Sequence, residues 1–330
     1  MTTYKLLCGD VLETLKTLDT ESVQCVITSP PYYGLRNYKM DGQIGLEQSP
    51  QEYIDTLVRI FREMRRVLKS NGVFWLNLGD TYSSFKDGKQ VKQTLVNSDK
   101  NDIPFSPTRN PAIMSAAGLK NKDLMMLPAS VAIALRNDGW YLRSEVVWAK
   151  PNPMPESVKD RPTRSHEMIY LFSKSAQYFY DNDAIKEECL WKDNRTGDRL
   201  SKRIQKRHVE TAPKPHKNMM DDGQQPNSFH KNRANGGKDV YYEMKNKRDV
   251  WTVSTSGFKG AHFATFPPKL IVPCVLAGSR EGNTILDPFS GSGTTGVVAL
   301  QNGRNYVGIE LNPEYVEISK RRISESLMEI

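Results

Sequence analysis

The chain has 330 residues, 38% of them hydrophobic, with 46 Lys and Arg against 38 Asp and Glu for a net charge of +8. That length suits one large α/β domain, or a core domain carrying an insertion. No run approaches the roughly 18–20 apolar residues of a membrane helix. The start, MTTYKLLCGDVLETL, has no basic region before a long apolar block, which argues against a secretory signal. Cys8, Cys25, Cys189 and Cys274 form no C-x-x-C pair, so structural zinc and a disulfide framework lack support and a reducing cytoplasmic location is expected.

In chain order, LLCGD reads as a short strand and VLETLKTL as a helix. SVQCVIT is a strand that stops at two prolines. SPQEYIDTLVRIFREMRRVLKSNG has apolar residues at helical spacing, with Ser49 as N-cap, Pro50 at the first helical position and Asn71-Gly72 as its close. VFWLNLGD is the next strand, and the β-α-β-α-β order implies a parallel sheet covered on both faces. Over 81–123 the pattern dissolves into Lys, Asn, Ser, Pro and Gly, with seven basic residues against four acidic ones. A loop of that length is expected to be functional or mobile, and its surplus of positive charge suits closure over a nucleic acid. LPASVAIALRNDGW is a helix and YLRSEVVWAK a strand, with Trp148 assigned to the core. EMIYLFSKS and AQYFYD suggest an antiparallel pair.

Residues 186–250 hold 16 Lys and Arg against 10 Asp and Glu, and three of the five histidines. A basic, polar insert suits a polyanionic partner such as nucleic acid; a solvated loop with a charge bias is the plainer alternative. FPPKLIVPCVLAGSREGN then reads as a helix and a turn, followed by strand, glycine-rich turn, helix and strand in TILDPFSGSGTTGVVALQNGRNYVGIEL. An amphipathic helix, NPEYVEISKRRISESLMEI, comes last.

ILDPFSGSGTTG contains G-x-G-x-x-G at Gly291, Gly293 and Gly296, between a strand at 284–286 and a helix at 294–301. Glycines let the backbone approach a ligand, and the helix start offers free N–H groups. Glu310 ends the next strand, where an acid accepts hydrogen bonds from ribose hydroxyls. In a dinucleotide enzyme this turn opens the fold, yet only 34 residues follow Gly296, so the motif order is permuted. Asp287 could meet a cationic or amino-bearing group, and Phe289 could pack against it. Both fit S-adenosylmethionine better than the pyrophosphate of NAD. A nicotinamide dehydrogenase is the distant alternative.

Together with the earlier VITSPPYYGLRNY, this turn resembles the β group of amino-methylating DNA methyltransferases of restriction–modification systems. Gly9-Asp10, Ser29 to Tyr32, NLGD at 77–80, HFATFP at 262–267 and GIE at 308–310 carry the likeness over nearly the whole chain. The resemblance implies a Rossmann-like, seven-stranded mixed sheet in which six parallel strands are joined by one antiparallel strand. It also implies a catalytic half at 1–185, a target-recognition insert at 186–255 and a cofactor half at 256–330. By the same likeness Asp10, Phe266, Asp287, Pro288, Phe289, Gly291, Gly293, Thr294 and Glu310 would surround S-adenosyl-L-methionine. Double-stranded DNA is the implied partner, beside a cognate restriction endonuclease acting on the same site.

The chemistry of the proline corner is consistent with this. An exocyclic amino group is a poor nucleophile, and acceptors aimed at its N–H bonds stabilise the positive charge that grows on nitrogen. Ser29 Oγ and the Pro30 carbonyl suit that task. Pro30 and Pro31 restrict the backbone so the acceptors are pre-set. Tyr32 could stack on a base flipped out of the duplex. In the family a leading Ser is typical of cytosine-N4 enzymes and Asp or Asn of adenine-N6 enzymes, so cytosine-N4 is expected, with adenine-N6 the alternative. Cytosine-C5 methylation needs a thiolate, usually in Pro-Cys; Pro273-Cys274 lies in an apolar, helix-like stretch, and Cys274 reads as core. His166 and His262 read as structural or hydrogen-bonding residues, and no metal is expected.

Overall fold

The computed structural model describes residues 2–35, 37–38, 40–83, 117–188, 244–255 and 266–328. Most of the 81–123 loop, most of the basic insert, Arg36 and His262 therefore lie outside the described residues. The chain divides into two units, one of residues 1–185 and 248–330, the other of 186–247. Within the second, β6 (Glu187–Glu188) pairs antiparallel with β7 (Met244–Lys245).

The first unit holds β1 (Tyr4–Cys8), α1 (Val11–Lys16), β2 (Val23–Thr28), α2 (Pro50–Val67), β3 (Leu68–Leu78), α3 (Leu127–Asn137), β4 (Tyr141–Ala149) and β5 (His166–Ser173). It continues with β8 (Val250–Thr252), α4 (Pro268–Gly278), β9 (Thr284–Asp287), α5 (Thr294–Gln301), β10 (Asn305–Glu310) and α6 (Pro313–Met328). The sheet order is β1-β10-β9-β2-β3-β5-β4-β8. Among the described strands of this sheet, β5 alone runs antiparallel to its neighbours, β3 and β4. Among the described residues the sheet thus has eight strands, one more than the expected seven. The addition is β8, a three-residue strand parallel to the outer edge of β4.

Every residue of β2 is buried, as a strand covered on both faces requires. Val26 faces one core with Leu57, Phe61 and Met64 of α2 and Leu135 of α3. Cys25 and Ile27 face the other, with Leu270 and Cys274 of α4, Val298 of α5 and Ile323 of α6. Each fully buried Leu or Phe contributes about 1.5–3 kcal/mol. Cys274 and Trp148 are buried as expected. Ser49 caps α2 in a reciprocal capping box with Glu52, and Pro50 stands at the first turn.

Two sequence expectations fail at boundaries. Asn71-Gly72 does not close α2: the helix ends at Val67 and Leu68 turns extended, φ −73° and ψ 136°, to pair with Val23. The fully buried Leu68 gains a sheet neighbour by leaving the helix early. Residues 176–181 do not form a strand beside β5, because β3 and β4 already occupy both of its edges. Single bonds hold that segment instead, Phe179 N–H to the Asn71 carbonyl and Asp181 N–H to that of Ala277.

Candidate active site

Parallel strands deliver their C-terminal ends to one side of a sheet, and ligands bind in crevices there. The ends of β1, β2, β9 and β10 open here onto a cavity of about 910 Å³. Ser29, Pro30, Pro31 and Tyr32 line it from the end of β2, and Asn77 from β3. Asp287, Pro288, Phe289, Gly291 and Thr294 line it from the glycine turn, while Asp10, Glu310 and Phe266 complete that wall. Motifs 258 residues apart in sequence, Ser29 and Asp287, thus share one cavity.

Gly293 is the exception among the expected residues and does not line the cavity. Its φ is +78°, and a Cβ there would sit 2.1 Å from Ser319 Oγ. It lets the turn press against α6, from which Arg322 donates to the Ser292 carbonyl at 2.7 Å and to Thr294 Oγ1 at 3.1 Å. Gly293 shapes the turn from behind.

Asp287 is buried, and both its oxygens are engaged. Oδ1 accepts from Thr28 Oγ1 at 2.6 Å and Phe289 N–H at 3.0 Å; Oδ2 accepts from Thr295 Oγ1 at 2.6 Å. Burial pushes its pKa up to about 6, against these three bonds. Thr28 directly precedes Ser29, so Asp287 ties the serine corner to the glycine turn. Glu310 accepts from Gly291 N–H at 2.8 Å and Asn312 N–H at 2.9 Å, and burial raises its pKa as well. Asp10 caps α1, taking Leu12 and Glu13 N–H on Oδ1, while Gly9 N–H reaches the Glu310 carbonyl at 2.9 Å. The Asp10, Asp287 and Glu310 carboxyls and the Phe266 and Phe289 rings line the cavity together, a set whose chemistry fits the hydroxyls, cation and purine of a nucleoside sulfonium.

At the proline corner the two adjacent tyrosines part. Tyr33 is core, its ring tilted against that of Tyr53. Tyr32 packs its ring against Gly79, where a Cβ would come within 2.5 Å of the ring. Its hydroxyl receives a bond from Ser29 Oγ at 3.2 Å and lies 2.8 Å from Glu167 Oε2 and 3.2 Å from Asn77 Oδ1. Asn77 Nδ2 also donates to Glu167 at 3.3 Å, and Lys150 forms an ion pair with its other oxygen. From α2, Tyr53 donates to the Pro31 carbonyl at 2.9 Å, bracing the corner. Sequence reasoning missed Thr28, Thr295, Lys150 and Glu167. All four stood in quoted stretches, Thr28, Lys150 and Glu167 at strand ends and Thr295 in the glycine-rich turn, with no sign of a partner.

The fold and cavity define the class: a Rossmann-like methyltransferase sheet with its catalytic motif first and its cofactor motif last. Comparison with known proteins agrees. The DNA methylase family model (N6_N4_Mtase) matches residues 23–321, and the chain belongs to that family. Type II methyltransferase M.Cfr9I of Citrobacter freundii is 44% identical over 96% of this chain and 86% of its own length. M.SmaI of Serratia marcescens is 43% identical over 97% and 90%. Among solved structures, the cytosine-N4-specific PvuII DNA methyltransferase superposes with a TM-score of 0.58 at 18% identity, covering 100% of this chain and 93% of that one. The putative DNA modification methylase TTHA0409 of Thermus thermophilus, complexed with S-adenosyl-L-methionine, gives 0.55 at 22% identity, covering 99% and 97%.

Proposed function

We propose that this DNA methyltransferase moves a methyl group from S-adenosyl-L-methionine to the N4 amino group of a cytosine flipped out of double-stranded DNA. The observation that carries the proposal is the shared cavity, with the Ser29 hydroxyl on one wall and the Asp287–Glu310 turn on another. When bound, the cofactor supplies a methyl group already activated by its positively charged sulfur. Asp10, Phe266, Pro288, Phe289, Gly291, Thr294 and Glu310 would hold it, with Asp287 and Gly293 setting the shape of the turn.

The protein's part in transfer is placement and charge stabilisation. The amino nitrogen must give up conjugation with the ring to attack, and it becomes positive as it does so. Ser29 Oγ and the Pro30 carbonyl accept its two N–H bonds and stabilise that charge. The prolines, the Tyr53 bond to Pro31 and the Thr28–Asp287 bond hold the acceptors still, so no reorganisation is needed at the moment of reaction. An amino group inside a duplex cannot reach this corner, so the base must leave the stack. Held at its hydroxyl by Glu167 and packed against Gly79, Tyr32 lines the cavity, where its ring could stack on a flipped base.

Serine at position 29 favours cytosine. The reading is tested by methylating DNA with labelled cofactor, digesting it to nucleosides and identifying the product. N4-methylcytosine is the expected outcome. N6-methyladenine would replace the target while keeping the mechanism, and 5-methylcytosine would refute both. The 186–255 segment is proposed to recognise the target site, aided by its surplus of positive charge. Charge reversal there should weaken DNA binding, lessen its salt dependence and leave cofactor affinity intact. A cognate endonuclease with the same site would give the methylation its purpose.

A further inference from the structure

A group transferred to an amino nitrogen leaves a proton to be removed, and the residues so far described only accept hydrogen bonds from it. Behind Ser29 lies a continuous line of groups able to take that proton. Ser29 Oγ donates to the Tyr32 hydroxyl at 3.2 Å. The Tyr32 hydroxyl is 2.8 Å from Glu167 Oε2. A phenol has one proton to give, and the charged carboxylate at 2.8 Å is a stronger acceptor than the neutral Asn77 carbonyl at 3.2 Å. The second Glu167 oxygen is ion-paired with Lys150, whose ammonium lies 4.3 Å from the centre of the Trp148 ring. Ser29, Tyr32, Asn77, Lys150 and Glu167 all line the cavity.

Resting on the function proposed above, we infer that Ser29, Tyr32 and Glu167 form a proton relay that carries the amino proton away from the methylated base. As the new carbon–nitrogen bond forms, the sulfur keeps the electron pair of the broken bond and the nitrogen becomes cationic. One N–H bond then breaks and its electron pair returns to nitrogen. The proton moves to Ser29 Oγ, the proton Ser29 held moves to the Tyr32 oxygen, and the phenolic proton moves to Glu167 Oε2. The line ends with Ser29 and Tyr32 neutral and Glu167 as a carboxylic acid, which returns the proton to solvent through the cavity.

The surroundings suit each link. Burial, and next the charge of Glu167, hold the Tyr32 pKa well above its ordinary value, so it works as a neutral hydroxyl that accepts and donates at once. Lys150, ion-paired with the second Glu167 oxygen, holds the carboxylate in position. Asp80, Glu156, Arg164 and His166 are the other titratable or charged groups on this part of the wall, with Arg164 bonded to the Asp80 carbonyl and Glu156 ion-paired with Arg161. In this relay Glu167 acts through Tyr32 and Ser29, as a positioning and proton-accepting residue.

The test compares wild type, Glu167→Gln, Glu167→Asp and Tyr32→Phe in single-turnover methylation across pH, in water and in deuterium oxide, with cofactor affinity measured by calorimetry. The phenylalanine keeps the ring against Gly79 and removes only the hydroxyl. The expected result is an approximately 100-fold slower transfer in Glu167→Gln and Tyr32→Phe at unchanged cofactor affinity. Wild type and Glu167→Asp should lose rate in acid, while Glu167→Gln should lack that acid limb and show a smaller solvent isotope effect. A Glu167→Gln protein with the wild-type rate, or one that is slow but keeps the acid limb, overturns the relay and leaves the methyltransferase reading standing. A wild-type protein that methylates no amino group in DNA overturns that reading first, and the relay with it.

Discussion

Asp287 does two jobs that pull its protonation in opposite directions. Thr28, Thr295 and the Phe289 amide favour the carboxylate, while near-total burial favours the acid, and burial prevails with a pKa of about 6. A carboxyl whose folded pKa lies above its unfolded value near 3.8 stabilises the fold fully below that lower value, and the contribution is lost as pH rises through about 6. Two pH units correspond to roughly 3 kcal/mol. Unfolding free energies measured from about pH 4 to about pH 7 should therefore fall more for wild type than for Asp287→Asn. Parallel curves would place the acid in a more polar setting than the structure gives it. The sequence announced Asp287 as a ligand-facing acid; its two threonine partners could not be read, because one lies 259 residues away.

At the scale of elements, the periodic segments were the legible ones. The apolar face of α2 and its Ser49-Pro50 start follow from spacing and capping chemistry, and the strand–turn–helix around Gly291 follows from the glycines between two apolar runs. The α2–β3 junction was not legible, since Asn71-Gly72 looks like a helix stop while the stop comes from Leu68 pairing with Val23. The missing 176–181 strand fails for a related reason: β5 is claimed on both sides by strands distant in the chain. Gly293 shows how a residue can set the shape of a turn without lining the cavity. Gly293→Ala would force a side chain into a left-handed position and against Ser319 Oγ. Calorimetry should show cofactor affinity reduced at least about 10-fold with the turn displaced; unchanged affinity would mean the turn's shape is not what holds the ligand.

At the scale of the whole molecule, the permuted order of motifs becomes an advantage of the sheet. β2 and β9 are neighbours despite their separation in sequence, and β10 follows β9, so the serine corner and Glu310 arrive at one rim. The sequence could indicate that the two motifs belong together, through their joint resemblance to a family. It could not indicate the Thr28–Asp287 bond between them, or the line from Ser29 to Glu167 that needs β5 in the middle of the sheet. The proposed division of labour rests on this layout, with the serine-corner wall for the acceptor amine and the Asp287–Glu310 wall for the cofactor. The most direct measurement sets cofactor affinity beside single-turnover transfer in Ser29→Ala and Glu310→Ala. Ser29→Ala should bind S-adenosyl-L-methionine as wild type does and transfer roughly 100-fold more slowly, losing an acceptor aimed at developing charge, while Glu310→Ala should lose affinity. Equal loss of affinity in both proteins would contradict the two-wall account.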